Sequence, residues 1–270
     1  MTKLCDQSIS ETSMALGLVI PTLGRRRDML IESVRSVRAA GSVFLVIVAP
    51  AEADLPSEVL ADVDLIVEDP ARGLAAAINA GIACLPEVVH YVSWLGDDDR
   101  LLPDTVTDLV YALHESDASM IYGQCEYIAE NGAVLWTNKS GRFAAPLMRF
   151  GPQLIPQPGS IFRRSDYVGL GGLDETLQWA FDLDLFIRFA KLRNGFAFFK
   201  SPVAQFRWHA DSLTAGSRKG SVIEASQVRK KYLPNSLAKL SWLWEPAVRW
   251  LIFQAGVRVN GLAVRKDAGA

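Results

Sequence analysis

Short, nearly unbroken apolar runs recur along the chain, separated by stretches with helical spacing. Leu16-Gly17-Leu18-Val19-Ile20 is the first run, stopped by Pro21-Thr22-Leu23-Gly24. Residues 25–40 then place Leu30, Ile31, Val34 and Val37 on one side of a helix. Residues 43–48 are a second run, ending at Ala49-Pro50, and Val63-Asp64-Leu65-Ile66-Val67 is a third. A small-residue helix over 74–85 follows Arg72-Gly73, and Tyr91-Val92-Ser93-Trp94-Leu95 is a fourth strand. Strands that are apolar almost throughout and alternate with helices predict a parallel α/β sheet covered on both faces.

The later pattern is less regular. A helix is predicted over 104–116, and strands Met120-Ile121-Tyr122-Gly123 and Glu126-Tyr127-Ile128 flank a short connection. Glu130-Asn131-Gly132-Ala133 signals a hairpin turn. The proline-bearing stretch 153–159 reads as a loop or an edge, and 160–164 as a strand. After the glycine-rich turn at 169–175, Leu183, Phe186, Ile187 and Ala190 give an amphipathic helix over 182–192 with Asp182 at its cap. Residues 197–199 and 203–208 are the last strands, leading to His209-Ala210-Asp211-Ser212-Leu213-Thr214.

Composition narrows the classes. With 270 residues, half of them hydrophobic, the chain can bury one sizeable core. A formal charge of −2 gives no case for binding nucleic acid. Cys5, Cys84 and Cys125 lie far apart without a CxxC, which suits a reducing cytosol. No signal peptide is evident in the polar first residues, and no run of about 20 apolar residues predicts a membrane span.

The fourth strand runs into Gly96-Asp97-Asp98-Asp99, then Arg100-Leu101-Leu102-Pro103. Three adjacent carboxylates repel one another and cost stability unless a cation sits among them. Hard divalent ions such as Mg2+ and Mn2+ take oxygen ligands and serve phosphates. A solvated acidic turn capping the next helix is the alternative. In parallel sheets ligands bind at the carboxyl ends of strands, which is where these acids stand.

Six segments in order resemble family-2 glycosyltransferases of the GT-A fold. They are Val19-Ile20-Pro21-Thr22, Arg72-Gly73-Leu74 through Asn79-Ala80-Gly81-Ile82, and Trp94-Leu95-Gly96-Asp97-Asp98-Asp99. Pro156-Gln157-Pro158-Gly159-Ser160-Ile161-Phe162-Arg163, Gly171-Gly172-Leu173-Asp174-Glu175 and Asp182-Leu183-Asp184-Leu185-Phe186-Ile187-Arg188 complete the set. The resemblance spans residues 16–215. It implies a GT-A-type nucleotide-binding sandwich with a mostly parallel sheet, a nucleoside-diphosphate sugar donor, a divalent Mn2+ or Mg2+, and inverting transfer to an acceptor hydroxyl.

By the same resemblance, Asp97 and Asp99 form a DXD-like metal pair, with Asp99 the first direct ligand, and His209 is a further ligand. Pro21, Thr22, Arg72, Asn79, Asp97 and Asp98 fall on donor-contact positions, Asp98 toward the ribose. Asp182 is the base, while Asp184, two residues on, points elsewhere on the helix. For Asp182 an ordinary N-cap is compatible with the base role, for Arg72 a solvated loop arginine is an equal reading, and His209 also reads as a plain strand-end residue. The chain departs from the family pattern at Ala49-Pro50-Ala51-Glu52 and at Ala76, which leaves the nucleotide base open, with Glu68 or Asp69 as substitutes.

A GT-A domain over 14–215 is thus followed by a tail over 216–270. From residue 228 onward eight basic residues face two acids, so this end carries +6 and the remainder −8. Its tryptophans interleave with cations, and Pro246 divides it into two short helices. That pattern suits an anionic membrane surface, with packing on the domain or on another subunit as the alternative. A cytoplasmic enzyme, peripheral on the inner face of the plasma membrane, acting on a glycan or lipid-linked acceptor is the leading expectation. A catalytically silent sugar-nucleotide-binding subunit is the alternative. A nucleotidyltransferase would need a glycine-rich basic phosphate loop, which Thr22-Leu23-Gly24-Arg25-Arg26-Arg27 does not supply.

Overall fold

The computed structural model describes residues 15–139, 141, 144–148, 153–208 and 218–234, with isolated positions between 236 and 250. Strand-helix repeats come first: β1 (Ala15–Pro21), α1 (Arg27–Ala40), β2 (Val43–Ala49), α2 (Ser57–Asp62), β3 (Leu65–Glu68), α3 (Leu74–Ala83) and β4 (Val89–Trp94). Then follow β5 (Arg100–Leu101), α4 (Thr105–Glu115), β6 (Met120–Ile128), β7 (Val134–Asn138), α5 (Ala144–Leu147), β8 (Ser160–Arg163) and α6 (Arg164–Gly169). The last elements are α7 (Phe181–Phe189), β9 (Phe196–Arg207) and a helix termed α8 (Arg218–Tyr232).

Nine strands form one sheet in the order β3-β2-β1-β4-β8-β6-β9-β5, with β7 alongside β6. β1 runs parallel to β2 and β4, and β2 to β3, as expected for the first half. β8 is inserted antiparallel between β4 and β6, while β6 and β9 are parallel again. The sheet is therefore mixed, with parallel pairing among β1 to β4.

Apolar side chains alternate to opposite faces along β1, each face having its own core. Leu16, Leu18 and Ile20 join Leu30, Val34 and Val37 of α1 and Leu109 and Val110 of α4. Val19 joins Ile78 and Ile82 of α3 and Leu183, Phe186 and Phe189 of α7 on the other face. Helical cover on both sides is the physical reason these strands read as continuous apolar runs. Phe162 of β8 stacks on Trp94 of β4 at 5.3 Å between ring centroids and meets Phe186 and Phe189 of α7 at 6.0 and 5.2 Å. This aromatic group packs the C-terminal half of α7 against β8 and the end of β4.

Three sequence expectations change. The two segments around Gly123 are one nine-residue strand, β6, whose register shifts between Tyr122 and Cys125 break its alternation. Residues 196–207 are likewise one strand across Pro202. The acids lead into the two-residue strand β5 before α4 begins. No helix among the described residues is long and apolar enough to cross a membrane.

Gly159 marks the tightest point of this half. Its φ is +80°, and a Cβ there would lie 2.3 Å from Val203 Cγ2. Gly159→Ala therefore combines left-handed strain with overpacking against a stiff β-branched side chain. Together these are expected to cost about 2–4 kcal/mol, measured by chemical denaturation.

Candidate active site

β4 delivers the acids to the carboxyl edge of the sheet. Gly96 O accepts from Asp99 N at 3.2 Å, closing a tight turn, and from Ser33 Oγ of α1 at 3.1 Å. Asp97 and Asp99 are buried, at 6% and 5% exposure, so their charges are not left to bulk water. Thr22, just past β1, donates its hydroxyl to Asp97 Oδ2 at 2.6 Å, and its own N–H goes to Val48 O of β2 at 2.9 Å. Pro21 ends β1 in register with Val48. Thus Pro21-Thr22 and the acids meet at one corner.

The cation that the acids require belongs to the chain itself. Arg26 places Nη2 at 2.9 Å from Asp97 Oδ1 and Nη1 at 2.6 Å from Asp98 Oδ2, bridging the two. Arg207 of β9 supports the corner from behind and is only 2% exposed. Its backbone N–H donates to Asp99 Oδ1 at 2.9 Å, its Nε to Asp98 O at 2.9 Å, and its Nη2 to Glu32 Oε2 at 2.7 Å. Arg207 Nη1 also donates to Glu130 O. Burial, and secondarily the neighbouring Asp98 charge, pushes the Asp99 carboxyl well above the usual carboxylate range.

Asp182 sits in the first turn of α7. The helix N-cap is Ala180 and makes no side-chain cap, so Asp182 is one residue inside the helix and not at its cap. Its Oδ1 accepts from Leu183 N at 2.7 Å and its Oδ2 from Gln153 Nε2 at 2.7 Å. Burial raises its carboxyl pKa, partly offset by those two donors. The same loop sends Gln157 Nε2 to Trp94 O at 2.6 Å, so residues 153–157 join Asp182 to the strand that carries the acids.

Asp184 does point elsewhere, into the interior at 1% exposure. It accepts from Arg188 Nε at 2.7 Å, from Tyr232 Oη at 2.6 Å and from Lys231 Nζ at 3.2 Å. α8, within the segment read from sequence as tail, thereby docks on α7. Glu224 of α8 accepts from Gln178 N at 2.9 Å and from Trp179 N and Ala180 N at 2.6 Å each. A carboxylate at that N-terminus suits the helix dipole. Glu224→Ala is expected to lower stability by about 1–2 kcal/mol in thermal or urea unfolding.

Two expected donor contacts have other partners. Arg72 pairs with Glu175 at 2.6 Å. Asn79 donates to Leu173 O and Glu175 Oε1 at 2.9 and 3.1 Å, and accepts from Tyr167 Oη and Leu173 N at 2.7 and 3.0 Å. Both hold the Gly171-Gly172-Leu173-Asp174-Glu175 turn. His209 lies outside the described residues. Of the substitutes for the base contact, Glu68 lines a cavity of about 410 Å³ with Ala49, Pro50, Asp54 and Leu55, while Asp69 Oδ1 accepts from Ala71 N at 2.9 Å.

Sequence reading missed Arg26, Arg207, Gln153, Gln157 and Glu224. Arg26 stood in a run weighed only as a phosphate loop, and Arg207 in a strand run where nothing marks a buried cation.

Among the described residues no three His, Cys, Asp or Glu side chains converge as a metal-ion site. Asp97 and Asp98 nevertheless converge on one cation position with oxygen donors alone, the chemistry of Mg2+ or Mn2+. The residues fit such an ion where Arg26 now stands.

Comparison with known proteins gives the class to which this fold belongs. The family model for "Glycosyl transferase family 2" matches residues 18–168, more than half of the chain, and the chain belongs to that family. Among solved structures it is similar to S. aureus TarS 1–349 in complex with UDP-GlcNAc (TM-score 0.63, 11% identity, covering 84% of this chain and 70% of that one). The TarS 1–349 complex with UDP gives TM-score 0.61 and 12% identity, with 84% and 69% covered. TarS as a longer chain gives 0.59 and 13%, with 85% of this chain and 42% of that one covered. No curated protein sequence matches. The protein is a glycosyltransferase with a GT-A fold.

Proposed function

We propose that the enzyme transfers a sugar from a nucleoside-diphosphate donor to a hydroxyl of a glycan or lipid-linked acceptor, with inversion and with the help of Mn2+ or Mg2+. The observation that carries this reading is a carboxylate corner at the end of β4 that already gathers a cation between Asp97 and Asp98, tied by one loop to a partly buried Asp182. The TarS structures hold UDP and UDP-GlcNAc, which supports a nucleotide-sugar donor here. The nucleoside is assigned to the ends of β1 and β2, toward the cavity that Glu68 lines.

Asp97 and Asp98 would hold the divalent ion, with Asp99 and His209 as further candidates. When bound, the ion neutralises charge on the departing diphosphate. Asp182 takes the proton of the acceptor hydroxyl while that oxygen attacks the anomeric carbon. The new C–O bond forms on the side opposite the bond to the diphosphate, which breaks. A carboxyl with raised pKa is the stronger base once ionised. Gln153 and the Leu183 N–H orient it.

A thermal-shift panel of nucleotide sugars with and without Mn2+ tests the donor, because a ligand that binds only the native state raises its stability. At least one donor is expected to raise Tm and to be slowly hydrolysed to nucleoside diphosphate. A panel with no shift and no hydrolysis contradicts the reading. The basic, tryptophan-bearing end is assigned to an anionic membrane surface. Full-length protein is expected to float with anionic liposomes and a chain ending at Tyr232, after α8, is not. Equal behaviour of the two removes the membrane assignment.

A further inference from the structure

We propose that Arg26 is a displaceable counter-cation of the donor site. Its guanidinium fills the cation position between Asp97 and Asp98, and a divalent ion that accompanies the donor diphosphate has to take those oxygens from it. The proposal rests on the metal-assisted reading above.

Three observations support it. First, the contact is a bridge: two different guanidinium nitrogens reach two different acids, at 2.9 and 2.6 Å. A bridging group satisfies both charges at once and competes directly with any ion seeking the same pair. Second, Arg26 is the N-cap residue of α1 and makes no side-chain cap there. A cation beside the positive end of a helix opposes the dipole, and arginine is not a favoured cap. The residue is locally ill-suited to its own helix, and such local conflicts are expected where function is served. Third, the bridge is asymmetric in access. The Arg26 side chain is 36% exposed, against 8% for Asp97 and 14% for Asp98. Arg26 therefore closes the corner from the solvent side and can leave without opening the core.

Release need not leave the guanidinium without a partner. Its planar fork matches phosphate oxygens as well as carboxylates, so an arriving diphosphate offers it a second anion. Metal alone then has to break the bridge without compensation, whereas metal with diphosphate exchanges one pairing for another. Binding of the two is consequently cooperative, and Arg26 is the source of the cooperativity. Arg26 is a positioning residue in this scheme, acting through the two acids.

The test measures Mn2+ binding to the full chain by loss of the free-ion electron paramagnetic resonance signal, with and without UDP. Arg26→Gln is expected to bind Mn2+ alone about tenfold more tightly than the wild type, with Arg26→Lys in between because one ammonium cannot bridge two carboxylates. UDP is expected to tighten Mn2+ binding about tenfold in the wild type and much less in Arg26→Gln. Circular dichroism and melting curves establish that each variant is folded; if Arg26→Gln is not, the lysine variant carries the comparison. Equal Mn2+ affinity in wild type and folded variants, with UDP enhancement intact, overturns the role of Arg26 and leaves the metal-assisted reading standing. No Mn2+ uptake by any form, even with UDP, overturns both.

Discussion

Asp182→Asn is expected to lower kcat by about 10²–10⁴-fold while leaving donor affinity nearly unchanged. Asparagine keeps the size of the side chain, and its carbonyl still accepts from Leu183 N, now at 2.7 Å. A flip of the Gln153 amide turns the other contact from acceptor to donor at the cost of its 3.3 Å bond to Ile155 O, while Gln157 still ties the loop to Trp94 O. What is lost is the proton acceptor. Steady-state kinetics with a working acceptor measures this, and retention of more than about a tenth of kcat assigns the base elsewhere.

The pH dependence has a definite sign. Burial raises the Asp182 carboxyl above the ordinary value of 3.8, and the two hydrogen bonds only partly offset it. Transfer needs the ionised form, so the acid limb of the rate profile lies above the range of an ordinary aspartate. For folding the sense is opposite. The protonated form is favoured in the native state, so this group's contribution is full below the unfolded pKa and is lost as pH rises through the folded one. Asp182→Asn is therefore expected to be at least as stable as the wild type at neutral pH, separating a loss of catalysis from a loss of fold.

Arg207→Met is expected to destabilise the protein by about 3–5 kcal/mol, the range for breaking a buried charge network. Methionine keeps the apolar stem of the side chain but abandons Asp98 O, Glu130 O and Glu32. Glu32 is 46% exposed and counts for little in this sum. The weight lies in the carbonyls and in the acids left without a cation at their back. For a chain of this size the melting temperature falls by about 6–20 °C. A loss under about 1 kcal/mol in urea unfolding would mean that the corner holds without the Arg207 guanidinium, on its backbone N–H, Arg26 and Thr22.

The parallel half of the sheet was legible because both faces of β1, β2 and β4 are buried, which writes each strand as an apolar run with turn residues at its end. Beyond β5 the signal weakens for identifiable reasons. The register shifts beside Gly123 interrupt the alternation of β6, and Lys200-Ser201-Pro202 divides β9 in the sequence though not in space. α8 fell within the segment read as a helical tail, but its bounds and its docking were not legible, since its anchors, Glu224 and Lys231, are charged and find their partners at the N-terminal end of α7 and on Asp184.

Acids adjacent in sequence declared the site, but their cations did not. Arg26 lies 72 positions from Asp98, and the backbone N–H of Arg207 lies 108 from Asp99. Only the closed sheet brings them together. Conversely, Asn79 looked like a donor contact, yet its amide is filled by Tyr167, Leu173 and Glu175. An asparagine's sequence position does not show whether its hydrogen bonds are already spent.

A crystal structure of the enzyme with UDP and Mn2+ tests the central claim most directly. The account expects the diphosphate at the Asp97-Asp98-Asp99 turn, with manganese bound by at least one of those carboxylates and Asp182 facing the β-phosphate side. A diphosphate seated elsewhere, with the three acids unchanged and still closed by Arg26, would contradict it.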